Sequence, residues 1–141
     1  MTINEKQDEI IEEFDLLDDP LDKTQYIIDL GKKLPPLPDV FRNDDHRIMG
    51  CQSKVWLGAE PDGNIIRFYG DAEPTAQISK GLISLLIRVL SGHQPADIAQ
   101  ADLYFIEKVG MKHLVTSLRA GGLASMMAQM KKYGRELANA N

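Results

Sequence analysis

From Ile78 to Leu90 the chain places Ile78, Leu82, Ile83, Leu85, Leu86, Ile87, Val89 and Leu90 at positions that cover most of a helix circumference. A helix that is apolar nearly all round has no face to give to water, so the rest of the chain must wrap it. The spacing predicts a central buried helix from about Thr75 or Ala76 to Ser91, stopped by Gly92. Ser84 and Arg88 interrupt the run, and it falls far short of the roughly 18 apolar residues of a membrane span.

Elements that can wrap such a helix are visible on both sides. Asn4 is the expected cap of a first helix, with Gln7 as its capping-box partner and Ile10, Ile11, Phe14 and Leu17 as the apolar stripe. Asp18-Asp19-Pro20 interrupts it. Asp22 is the expected cap of a second helix bearing Tyr26, Ile27, Leu30 and Leu34, with Gly31 inside the stripe, and Pro35 to Pro38 run extended. The period then changes. Ile48 to Gly58 reads as two extended pieces hinged near Gly50-Cys51, Pro61-Asp62-Gly63-Asn64 as a turn, and Ile65 to Tyr69 as a strand ended by Gly70-Asp71. Trp56, facing opposite to Val55 and Leu57, is expected as a core aromatic. Helices follow at Pro95 to Gln100, from Asp102 through Val109, and from Gly122 or Leu123 onward, where Met126, Met127 and Met130 are expected to fill the core. Helices, a strand cluster, then helices give an α+β fold with a small antiparallel sheet of about three strands packed against several helices. The length of 141 residues fits a single domain, 1–141.

Charge and composition exclude several classes. The net charge is −5, yet residues 1–22 carry nine acids against Lys6 alone, a net of −8 that leaves +3 for the remainder. The acidic start is expected as a solvated helix face, with a docking surface for a basic partner as the alternative. No basic stripe points to nucleic acid. The first residues lack a basic segment followed by an apolar one, so the expected location is the cytoplasm and no membrane is involved.

Cys51 is the only cysteine, in the run His46-Arg47-Ile48-Met49-Gly50-Cys51-Gln52-Ser53-Lys54-Val55-Trp56. One thiol cannot form an intramolecular disulfide or a thiolate cluster, and its commonest fate is a small buried hydrophobe. The flanks argue for more. Gly50 permits a sharp turn, and a cysteine at such a tip can be reached. Arg47, Lys54 and turn N–H groups are candidates to favour the thiolate, the form that attacks sulfur. His46, His93 and His113 lack the paired spacing of a zinc site, and nothing in the sequence links one of them to Cys51 as a base. Arg119-Ala120-Gly121-Gly122 lacks the Lys-Ser/Thr of a phosphate loop.

The heptad Gly50-Cys51-Gln52-Ser53-Lys54-Val55-Trp56 resembles the signature of the SufE family, sulfur acceptors of iron–sulfur cluster assembly. Leu30-Gly31-Lys32-Lys33-Leu34-Pro35, Gly70-Asp71 before Lys80-Gly81-Leu82-Ile83, and Arg119 before Gly122-Leu123 resemble further family segments in the same order. Ala72-Glu73-Pro74-Thr75-Ala76 departs from the family's usual Ser-Asp-Ala, and Val115-Thr116-Ser117-Leu118 lacks its usual Pro. The resemblance implies a SufE/IscU-like fold. It also implies that Cys51 takes sulfur from the persulfide of a PLP-dependent, SufS-like cysteine desulfurase and stimulates that enzyme. Cys51 would then hand the sulfur to a SufBCD-like scaffold. In that scheme the protein is an accessory and not an enzyme, holds no cofactor or metal of its own, and is a monomer or weak homodimer. Asp71, Arg119, Gln52 and Ser53 are the expected docking or supporting residues. The competing readings are a scaffold that itself holds a cluster, which ordinarily needs several cysteines, and a cysteine-dependent redox sensor.

Overall fold

The computed structural model describes residues 1–110 and 120–139. Helix α1 (Ile3–Asp15) starts earlier than its stripe suggests: Thr2 and Glu5, not Asn4 and Gln7, form the capping box. Gln7 has a different task. It is fully buried, its Oε1 accepts from Phe105 N–H at 3.1 Å, and its Nε2 donates to the Asp102 carbonyl at 2.9 Å. A buried amide is tolerated because both ends are satisfied, and here it ties the first helix to residues far along the chain. Helix α2 (Pro20–Lys32) is capped by Asp19, with Pro20 at its first position, and not by Asp22. A proline there gives up an N–H that would be unbonded in any case.

After two short 3-10 turns (Asp39–Phe41 and Asp44–His46), β1 (Val55–Asp62) and β2 (Ile65–Ala72) form an antiparallel hairpin. Its register pairs Trp56 with Asp71. Among the described residues the sheet has two strands where about three were expected. Each outer edge carries a single bridge, Arg47 to Trp56 on one side and Ile66 to His93 on the other. The second strand runs on through Gly70 and Asp71 to Ala72.

Helix α3 (Gln77–Leu90) is the buried centre its pattern demands: Leu82, Ile83, Leu85, Leu86, Val89 and Leu90 are all buried. Each such side chain is worth about 1.5–3 kcal/mol when withdrawn from water. It packs on β2, α1 and α2. The α2 crossing is made by glycines. A Cβ on Gly81 would lie 2.2 Å from the Ile27 carbonyl oxygen, and one on Gly31 would lie 2.8 Å from Gly81 N. Gly31 thus sits in the stripe because the neighbouring backbone occupies the space of its side chain. Helices α4 (Pro95–Gln100), α5 (Phe105–Lys108, preceded by Tyr104 and not capped by Asp102) and α6 (Ala120–Asn139) close the core, with Met126 and Met130 buried as expected. On the surface, Arg88 of α3 pairs with Glu9 at 2.6 Å and with Glu13, and Tyr26 donates to the same Glu13.

Candidate functional site

The segment around Cys51 is a reversal and not a hinge between two strands. Ile48 N–H donates to the Val55 carbonyl at 2.8 Å, and both residues are buried, so residues 49–54 form a loop clamped at its base. Gly50 stands at φ 92, in the left-handed region that other residues avoid, and a Cβ there would come within 2.5 Å of Ser125 Oγ on α6. The loop therefore rests closely on the start of the last helix. Cys51 is half-buried at the edge of the hydrophobic core, and its thiol lies 3.8 Å from the Gly122 carbonyl, within reach of an S–H···O hydrogen bond. Ser53 is buried and Gln52 exposed, while Met49 is 78% exposed. The thiol is neither interred nor fully presented.

Five residues on, Trp56 begins a second feature. Val55 and Leu57 point into the core, so Trp56 faces the other side of the hairpin. It is half-buried, not a core aromatic. The Arg42 guanidinium lies 5.0 Å from its ring centre, a cation–π contact. Asp71, directly across the ladder, accepts from Arg42 at 2.7 Å and pairs with Lys80 at 3.3 Å. Burial pushes the Asp71 carboxyl up, but Arg42, the Ala72 N–H and Lys80 outweigh it and hold the group below its ordinary value. Together with Lys54 these side chains line a cleft of about 530 Å³. Lys54 thus joins the Cys51 loop to the cleft, and its carbonyl accepts from Glu73 N–H at 2.9 Å.

Of the residues expected from the sequence, Cys51, Gln52 and Ser53 share the loop, and Asp71 lies on the adjoining cleft. Arg119 and His113 lie outside the described residues. His46 is held by Asn43 Oδ1 at 2.8 Å and by the Phe41 ring, and His93 lies on the outer edge of β2. His93 Nε2 is buried without a partner among the described residues, and burial, then Lys6 and the terminal amine, lowers its pKa. It lines a separate cleft of about 680 Å³ with the start of α1. Among the described residues no group of His, Cys, Asp or Glu is placed to hold a metal, and no helix is long and apolar enough to cross a membrane. Sequence reasoning missed Arg42 and Lys80. They come from the end of a 3-10 turn and from a helix far along the chain, and no local pattern joins them to Asp71.

Residues 8–134 match the sequence profile of the family described as SufE, Fe-S metabolism associated domain. An uncharacterized SufE-like protein of Rhizobium etli is 36% identical over 138 residues, 94% of this chain and 92% of that one. The sulfur acceptor protein CsdE of Escherichia coli is 33% identical over 107 residues, 74% of this chain and 71% of its own. A solution structure of a hypothetical protein from Thermus thermophilus superposes with a TM-score of 0.78 over 95% of this chain and 96% of that one, at 24% identity, a likeness of fold.

Proposed function

The chain belongs to the SufE family, and on that premise we propose that it is a sulfur acceptor of iron–sulfur metabolism with Cys51 as the accepting thiol. The carrying observation is the setting of this lone thiol, half-buried on a loop clamped at its base and resting on α6. The Cys51 thiolate attacks the outer sulfur of a persulfide on a cysteine desulfurase. A new S–S bond forms to Cys51, the donor's S–S bond breaks, and its electron pair leaves with the donor's cysteine as thiolate. The exchange is redox-neutral and needs one nucleophilic thiol and no resolving partner. Removal of the sulfur releases the desulfurase for another turnover, so the acceptor acts as an activator. A cluster-assembly scaffold then takes the sulfur from Cys51. The half-burial of Cys51 limits access of small oxidants until the donor docks. Arg47 is the candidate to favour the thiolate in the docked state.

The test is an intact mass after incubation with the cognate desulfurase and cysteine. A gain of about 32 Da, one sulfur atom, that dithiothreitol reverses and Cys51→Ala abolishes is the expected result. An unchanged mass, with iron-dependent visible absorbance after reconstitution, refutes it in favour of a cluster scaffold.

A further inference from the structure

The cleft beside the Cys51 loop carries charge of the opposite sign to the molecule. Lys32, Arg42, Lys54 and Lys80 line it against Asp71 and Glu73, a balance of +2 in a chain of net −5. Asp71 is already held by two of those cations. Lys32 makes only a loose, exposed pair with Asp29 at 3.9 Å, and among the described residues Lys54 makes no ion pair. The start of α3 adds to the same field. This 14-residue helix begins at Gln77 with no side-chain cap at Ala76 and no acid in its first turn, and Gln77 itself lines the cleft. The positive end of a helix dipole and four cations thus share one concavity. The Trp56 ring against Arg42 holds the guanidinium in place, so the site is formed before any ligand arrives.

Building on Cys51 as the sulfur acceptor, we propose that this cleft docks the sulfur donor by taking an acidic segment of that protein, its carboxylates meeting Lys54 and Lys32. Any protein that brings a persulfide to Cys51 covers its neighbours, and Lys54 and Trp56 follow closely along the same chain. The hydrogen bond from Glu73 N–H to the Lys54 carbonyl joins the end of the loop to the cleft rim. Met49, exposed on that loop, offers apolar surface to the same partner.

The experiment measures initial rates of persulfide formation on Cys51 against acceptor concentration, for wild type and for Lys32→Glu/Lys54→Glu. Both lysines are exposed and neither contacts Asp71. The double variant is expected to raise KM for the acceptor by about tenfold while kcat stays within about twofold, as loss of electrostatic docking requires. Wild-type KM is expected to climb with salt up to about 0.5 M, and that of the variant to stay flat. Alkylation of Cys51 by iodoacetamide is expected at the wild-type rate in both proteins. An unchanged KM in the variant overturns the proposal. So does tight citrate binding that the variant loses without any change in KM, which marks a small-anion site instead. If wild type takes no sulfur at all, the acceptor role of Cys51 is what fails. Donor binding, wild type against variant, then decides the cleft separately: equal affinities overturn it and a weakened variant supports it.

Discussion

Gly50→Ala tests whether the Cys51 loop is pinned as the structure has it. An alanine at φ 92 suffers the crowding of the left-handed region, about 1–2 kcal/mol. Its Cβ would also stand 2.5 Å from Ser125 Oγ, well inside the 3.4 Å where ordinary contact begins, and overpacking of that kind adds about 1–3 kcal/mol. Against these, alanine makes the unfolded chain less disordered than glycine does, which returns about 0.4–1 kcal/mol. The net expectation is a loss of about 1–4.5 kcal/mol, centred on about 3 kcal/mol. In urea unfolding, with a slope of about 1–3 kcal/mol/M, the midpoint falls by about 1–2 M. The two contributions separate in a second variant. Ser125→Ala removes Oγ and leaves a Cβ at 3.5 Å, ordinary contact, so Gly50→Ala/Ser125→Ala should recover about 1 kcal/mol while Ser125→Ala alone changes stability by less than about 0.5 kcal/mol. Cys51 alkylation reports on the loop itself and should speed up in the single variant as its seat on α6 loosens. A Gly50→Ala protein within about 0.5 kcal/mol of wild type, with Cys51 alkylated at the wild-type rate, would show that the loop is not seated on α6.

Gly81→Ala drives a Cβ to 2.2 Å from the Ile27 carbonyl oxygen, where backbone cannot yield. Thermal melting is expected to show a loss of more than about 3 kcal/mol or no cooperative transition, and a Tm within a few degrees of wild type would show that α2 and α3 do not cross so closely. The Tyr26 phenol is pushed up to about 12, by burial first and then by Glu13. Its pKa is raised on folding, so its contribution is complete below about pH 10 and is lost as pH rises toward 12. Urea midpoints should fall less steeply across that window in Tyr26→Phe, and parallel curves would count against the Tyr26–Glu13 contact. Asp71 has its pKa lowered on folding from 3.8, so its contribution is present above that value and is lost as pH falls below it. Asp71→Asn should be less stable than wild type at about pH 7, with the gap narrowing toward about pH 3, and a constant gap would exclude the ion pairs as its cause.

The buried α3, the methionine stripe of α6 and the hairpin turn were legible because the forces that set them act over a few residues of one element. The caps stand at Thr2 and Asp19 and not at Asn4 and Asp22 because Thr2, Glu5, Asp19 and Pro20 offer equivalent local chemistry, and the choice falls to whichever start buries the stripe. Gln7 has the local pattern of a capping residue, and nothing nearby in the chain announces that Asp102 and Phe105 will close around it. Trp56 has the residue type of a core aromatic, yet strand alternation from the buried Val55 and Leu57 turns it to the other face.

One thiol, in a heptad that marks the family, beside a glycine that lets the chain reverse, is legible in the residue order alone. What surrounds that thiol is set by the fold. The seat of the loop on Gly122 and Ser125, and the gathering of Arg42, Trp56, Asp71 and Lys80 beside it, join segments far apart in the chain. Such contacts form only when burial of a shared core offsets the entropy of bringing distant segments together, and no local pattern encodes which segments those will be.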